Sequence, residues 1–120
     1  MDYKFINTEY LDSVSGGDPE IIREITNMFK DQSIEIYNEM KSHLSEKNYT
    51  SLGLLAHKAK SSVAIMGMND LALILKTFEQ DAKGGNGSEL YESYLLKFKT
   101  ETEGAFRELD DLLNNLSNKK

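Results

Sequence analysis

The residue of this sequence best suited to chemistry is His57, a histidine in the middle of a helical segment. Neutral imidazole is a good nucleophile near neutral pH, because free histidine titrates at about pH 6.5. Lys60 lies three residues further on, and residues three apart are neighbours on a helix surface. Transfer of a phosphoryl group requires little of a protein beyond alignment and compensation of charge. We therefore take His57 and Lys60 as a candidate pair for accepting and passing on such a group.

The helical period predicts that His57 is exposed on a smooth surface. The apolar side of its helix carries Leu52, Leu55, Ala56, Ala59, Val63 and Met66, and His57 lies about 150° from the centre of that stripe. Around it we expect three small residues, Gly53, Ser61 and Ala64, and two flanking apolar residues, Leu54 and Ile65. Glycine lowers helix stability with no packing return evident in the sequence. The pattern predicts a docking surface for another protein.

Start and stop signals divide the chain into one short and four long helices. We predict them at about 8–15, 18–43, 49–66, 69–83 and 88–116. Thr8, Asp18 and Ser88 are the predicted N-caps, with Asn69 or Asp70 for the fourth helix, and Pro19 takes the first helical position of the second. Gly16, Gly67 and the glycine-rich run 84–87 end the helices that precede them.

These helices predict an all-α protein, an antiparallel four-helix bundle with a short additional N-terminal helix. Each long helix has an apolar stripe that must be buried, and short connections favour antiparallel neighbours. No repeat or linker divides the chain. We expect a single domain over residues 1–120, with its core bundle at about 18–116, as a monomer.

The composition argues against several classes of partner. Twenty acidic residues against fourteen basic ones give a formal net charge of −6, and such a surface repels nucleic acid and anionic membranes. Cysteine is absent, which excludes disulfides and thiolate metal sites. The N-terminal residues lack the pattern of a secretory signal, and no apolar run is long enough for a membrane helix. We expect a free-standing cytoplasmic protein.

Three other patterns carry less weight. His43, between Glu39 and Glu46, is a conceivable weak metal site, but a histidine near a helix C-terminus ordinarily suits the helix dipole, so no metal is predicted. The glycine run 84–87 lacks the lysine and hydroxyl residue of a nucleotide-binding loop, so the chain is not predicted to act as a kinase on ATP. Four methionines are predicted to fill the core: Met28, Met40, Met66 and Met68.

The segment around His57 resembles the signature of histidine-containing phosphotransfer (HPt) domains. The matching positions are the histidine, small residues two, four and five positions later, a lysine at the third and a glycine at the tenth: His57, Ala59, Lys60, Ser61, Ser62 and Gly67. The sequence Gly16-Gly17-Asp18 and the pair Phe78-Glu79 are also typical. The likeness extends over about residues 11–113.

The resemblance implies a four-helix bundle that relays a phosphoryl group between receiver-domain aspartates of a hybrid histidine kinase and a response regulator. It implies that His57 is the residue phosphorylated, that Lys60 compensates charge and that Glu79 lies near the imidazole and orients it. Ser61 and Gly67 would support the site. It implies a carrier without kinase activity or cofactor of its own, any Mg²⁺ belonging to the receiver.

Two positions depart from the family pattern, and two other functions stay open. Ser61 stands where glycine is more usual, and Ala59 stands where leucine is frequent. Serine is still small, so docking should be retained, with a changed partner preference. The first alternative is a pseudo-phosphotransfer domain that binds a receiver or another signalling protein without turnover. The second is a structural or dimerisation bundle, which would leave the docking surface unexplained.

Overall fold

The computed structural model describes residues 3–117 and consists of helices joined by short turns. The ends of the predicted domain, residues 1–2 and 118–120, lie outside the described residues. The elements are α1 (Glu9–Ser15), α2 (Pro19–Ser45), α3 (Tyr49–Ile65), α4 (Asn69–Gly84), a 3₁₀ turn (Ser88–Leu90) and α5 (Tyr91–Ser117). The all-α prediction of four long helices and a short N-terminal one is confirmed.

The helix boundaries follow local capping chemistry only in part. The Asp18 carboxylate accepts a hydrogen bond from the Glu20 amide at 2.9 Å, and Pro19 begins α2 as predicted. Of the other predicted caps, Thr8 occupies the N-cap position of α1, whereas those predicted for α4 and α5 differ. Met68 precedes α4 without a side-chain bond, and Ser88 begins the 3₁₀ turn, so α5 starts only at Tyr91. At α1 the side chain of Asn7, rather than Thr8, accepts the Glu9 amide.

The four long helices surround one core. α3 supplies its predicted apolar side, and α2, α4 and α5 contribute large buried residues such as Ile36, Phe78 and Phe98. α3 packs on both α2 and α4, and α5 closes the bundle against the same two helices. No helix among the described residues is long and apolar enough to cross a membrane. This scaffold holds α3 and α4 side by side along their length.

An extended N-terminal segment ties the end of α3 to α5. The Glu108 carboxylate of α5 accepts three consecutive backbone N–H groups, those of Lys4, Phe5 and Ile6, at 2.8 to 3.0 Å. The Phe5 ring occupies the space above Gly104, where a Cβ would lie 2.4 Å from the ring. The segment therefore packs closely on α5 before it leads into α1.

Gly67 allows the same segment to approach the end of α3. Its φ is +70°, and a Cβ at this position would lie 2.6 Å from both the carbonyl oxygen and the Cβ of Asn7. The Asn7 amide also donates to the Met66 carbonyl at 2.9 Å. Gly67 thus serves the αL turn and a close backbone approach at once.

Replacing Gly67 with alanine should destabilise the fold more than the same change at Gly85. Both glycines have φ near +70°, but a Cβ at Gly85 meets nothing within 4 Å. The backbone conformation alone costs about 1 kcal/mol, and overlap with Asn7 should raise the loss at Gly67 to about 3 kcal/mol. Urea unfolding of both variants measures this difference, and equal losses would contradict the close approach.

Candidate functional site

His57 lies in the middle of α3 with its side chain in solvent. The imidazole is 60% exposed, whereas Ala56 and Ala59 on the opposite side of the same helix are buried in the core. Its inner edge faces α4, and its Nδ1 atom lies 3.2 Å from each carboxylate oxygen of Glu79. One side of the ring is therefore held by the bundle, and the other is accessible to a partner.

Glu79 is a buried carboxylate on α4 that stays ionised. Lys83 donates to Oε2 at 2.8 Å and Lys60 donates to Oε1 at 3.1 Å. The hydrogen bond from Lys83, followed by those from Lys60 and His57, lowers the pKa of Glu79 from 4.5 to about 2, against the opposing effect of burial. A buried charge needs such partners to offset its lost hydration.

The ionised carboxylate determines which ring nitrogen of His57 carries the proton. A carboxylate only accepts hydrogen bonds, so Nδ1 must donate. In a neutral imidazole the other nitrogen, Nε2, then holds a free lone pair. The contact with Glu79 therefore assigns Nε2 as the nucleophilic atom, and it lies on the side of the ring directed away from the carboxylate.

Two lysines accompany this pair, one from each helix. Lys60 is the lysine predicted to act together with His57. Its ammonium bonds to the Glu79 carboxylate, which in turn contacts the imidazole. Lys83 was not predicted, although its spacing of four residues from Glu79 is a recognisable ion-pair pattern on a helix. The residues assembled at the site are therefore His57, Lys60, Glu79 and Lys83.

Gly53 does not lie on the exposed surface, contrary to the prediction. It is buried against α4, and a Cβ there would lie 2.9 Å from Cγ of Lys83 and 3.4 Å from the Glu79 carbonyl oxygen. The prediction was wrong because a helical wheel of α3 alone does not show that a neighbouring helix, α4, covers this residue. Glycine at this position therefore allows α4 to pack closely against α3. Because the residue is covered, it offers no surface for docking.

The other predicted surface residues are exposed. Leu54 is 62% accessible and Ile65 is 40% accessible, and Ser61 and Ala64 lie in solvent between them along α3. The Ser61 hydroxyl bonds back to the His57 carbonyl at 3.5 Å. Gly67 lies at the turn after α3, away from this surface, where it accommodates Asn7. Whether these residues contact a partner remains a prediction.

An apolar groove extends this surface onto α1 and α2. Ile65 lines it together with Tyr10, Val14 and Met28, of which Met28 is 71% exposed. The prediction that Met28 fills the core is therefore wrong, whereas Met40, Met66 and Met68 are buried. Met28 follows the apolar periodicity of α2, which is why it was predicted to be buried. The position of α1 decides which edge of that apolar stripe remains exposed.

Metal-binding side chains are not clustered in the part of the chain that the structure describes. Within residues 3–117, no three histidine or acidic side chains come together as metal ligands. His43 is half-buried near the end of α2, and its Nδ1 atom has no hydrogen-bond partner. The chemistry of the site therefore has to be derived from His57 and its three charged neighbours.

Comparison with known families agrees with this geometry. The family model described as the Hpt domain matches residues 24–119, which is most of the chain. This chain belongs to the Hpt domain family. Hpt domains are phosphocarrier modules of two-component signalling that interact with receiver domains, and they are not kinases. No curated protein and no solved structure matches the chain. The match begins within α2, so α1 and the N-terminal segment lie outside it.

Lowering the pH should remove the contribution of Glu79 to the stability of this Hpt domain. Its pKa is lower in the folded chain, about 2, than its ordinary value of 4.5, so its ion pairs stabilise the fold above that ordinary value and are lost as the pH falls towards 2. At neutral pH, Glu79→Gln should lower the free energy of unfolding by about 1 to 2 kcal/mol.

Urea unfolding of both proteins at about pH 6 and about pH 3 measures this effect. The difference between wild type and Glu79→Gln should shrink at the lower pH, since other carboxylates titrate alike in both proteins. A difference that is the same at both pH values would contradict the stabilising role of the ionised carboxylate.

Proposed function

We propose that this Hpt domain carries a phosphoryl group on Nε2 of His57, between the receiver aspartate of a hybrid histidine kinase and that of a response regulator. The observation that supports this most directly is the contact of Nδ1 with the buried Glu79 carboxylate, because it leaves Nε2 unprotonated and exposed. Family membership supports the reaction class and the type of partner.

The transfer is a displacement at phosphorus. The Nε2 lone pair attacks the aspartyl phosphate of the donor receiver, an N–P bond forms, the P–O bond breaks, and the aspartate carboxylate leaves. Positive charge develops on the ring, and the carboxylate of Glu79 stabilises it through the Nδ1–H bond. The reverse displacement by the aspartate of a second receiver regenerates neutral His57. Receiver domains supply any Mg²⁺, and the carrier needs no cofactor.

Lys60 compensates charge during the transfer. Its ammonium bonds to Glu79 and its side chain is partly exposed, so rotation about its flexible stem brings it to the phosphoryl oxygens without unfolding any element. Two anionic groups, carboxylate and phosphoryl, then lie on opposite sides of the imidazole. A cation between them lowers the repulsion that phosphorylation introduces.

The docking surface is the exposed apolar area along α3 and its groove. Leu54 and Ile65 lie on either side of His57 along the chain, and the groove beyond Ile65 adds Tyr10 and Met28. Apolar area next to a reactive group gives a partner something to bury, while small Ser61 and Ala64 let its backbone approach. We propose that a receiver domain is the occupant.

The alternative function is a receiver-binding domain that does not turn over. Such a domain would use the same docking surface. It would leave the contact between Nδ1 of His57 and Glu79 unexplained, because that contact presents an unprotonated Nε2. The chemistry of the label separates the two, because a phosphoramidate bond on histidine is acid-labile and base-stable, and an acyl phosphate is labile in base.

Incubation with phosphorylated receiver domains should label the wild-type protein and not His57→Gln. Lys60→Ala should be labelled at least about tenfold more slowly, since it removes charge compensation worth about one charged hydrogen bond. Its helices should still form, because the Lys60 side chain is partly exposed and lies outside the apolar core. Radioactive transfer from a panel of receivers measures both. Equal labelling of His57→Gln and wild type overturns the proposal.

Leu54→Glu should weaken receiver binding about tenfold or more, because it places a charge on an apolar contact. Leu96→Glu is the matched control, since Leu96 on α5 is 61% exposed, almost the same as Leu54, and lies away from the groove. Titration with an unphosphorylated receiver measures both dissociation constants. The same loss in both variants would exclude α3 as the docking surface.

A further inference from the structure

The side chain of Lys83 reaches the site by a route that only a glycine permits. Its aliphatic stem crosses α3 at Gly53, where a Cβ would lie 2.9 Å from Lys83 Cγ and 3.4 Å from the backbone nitrogen of Lys83. Beyond this crossing the ammonium donates to Oε2 of Glu79 at 2.8 Å. The space left by the missing side chain of Gly53 is therefore occupied by the stem of Lys83.

The Glu79 carboxylate is held symmetrically about the imidazole. Lys60, from α3, bonds to Oε1, and Lys83, from α4, bonds to Oε2. Nδ1 of His57 lies at the same distance, 3.2 Å, from both oxygens. Each lysine opposes rotation of the carboxylate towards the other, so the pair keeps both oxygens directed at Nδ1.

We propose that Lys83, seated on Gly53, is a positioning residue for His57: it keeps the Glu79 carboxylate centred on Nδ1 and so keeps Nε2 available as the nucleophile. This inference rests on the proposed function only in its use of Nε2 as the reacting atom. Lys83 does not touch the reacting atoms, and it acts through Glu79.

Removal of the Lys83 ammonium leaves Lys60 as the single cation on the carboxylate. The carboxylate then turns towards Lys60, and its bond with Nδ1–H weakens. A weaker bond favours the opposite tautomer, in which Nε2 carries the proton and has no free lone pair. The expected result is a smaller fraction of reactive imidazole, together with a lower free energy of unfolding, because the buried carboxylate loses one of its partners.

The test uses phosphoramidate as a small phosphodonor, so that no receiver is needed. Attack by Nε2 forms the N–P bond to histidine, the P–N bond of phosphoramidate breaks, and ammonia leaves. Lys83→Met keeps the stem over Gly53 and removes the charge, Lys83→Arg restores a cation, and Lys76→Met removes an equal charge from an exposed position of the same helix. Gly53→Ala displaces the stem itself.

Lys83→Met should be phosphorylated about three- to tenfold more slowly than wild type, and its fraction of Nδ1–H tautomer, measured by ¹⁵N NMR of the imidazole, should fall. Lys83→Arg should restore both quantities, Lys76→Met should change neither, and Gly53→Ala should change both in the direction of Lys83→Met. Thermal unfolding midpoints verify that the variants fold. If Gly53→Ala does not fold, the Lys83 variants alone test the proposal.

An unchanged tautomer fraction in Lys83→Met overturns the proposal, whatever happens to the rate, because a positioning role must act on the ring. The tautomer measurement needs no phosphorylation and therefore decides the question even when no receiver labels the protein. A tautomer shift in a protein that no receiver labels supports the positioning role while the relay fails. Labelling by receivers together with an unchanged tautomer fraction supports the relay and overturns the positioning role of Lys83.

Discussion

The geometry of the site depends on one buried carboxylate. Glu79 is ionised between two helices, and it is stable there because an imidazole and two ammonium groups share its charge. Its partners come from both α3 and α4, so the cluster holds only when the two helices have the correct register. The same interaction orients the His57 ring and leaves Nε2 in solvent. Helix packing and reactivity are therefore coupled through a single side chain.

This arrangement places a reactive group on a convex surface. Enzymes ordinarily enclose their chemistry in a cleft that excludes water, whereas His57 stands on the outside of a helix, with the small exposed residues Ser61 and Ala64 on its C-terminal side. A carrier of this kind has only to present a nucleophile in the correct tautomer, and a partner encloses the reaction. The rigid bundle contributes precise orientation, since a site built on packed helices moves little.

Close backbone approach organises the rest of the molecule. Gly53 admits the stem of Lys83 beside α3, Gly67 admits Asn7 at the end of α3, and Gly104 admits the Phe5 ring on α5. The last two contacts fasten the N-terminal segment, which leads into α1 and thereby forms one wall of the apolar groove. This segment precedes the family match, so part of the proposed docking surface belongs to a region that the family model does not cover.

The sequence by itself determined the helices, the bundle and the exposure of His57, because apolar periodicity and helix-ending glycines are local properties of the chain. Some caps were assigned to the wrong residue, as at Ser88, because several neighbouring groups compete for the same backbone bonds. Lys60 followed from its spacing to His57, and Glu79 followed from the family resemblance. Neither predicted that His57, Lys60 and Lys83 would all contact the Glu79 carboxylate.

The tertiary structure alone decided which face of each helix is covered. Gly53 is buried because α4 crosses α3 at that point, and Met28 is exposed because α1 leaves one edge of α2 open. Neither neighbour is encoded in the local sequence around the residue. The contribution of Lys83 was hidden for the same reason, since it depends on how closely two helices approach, and that distance is set by packing across the whole core.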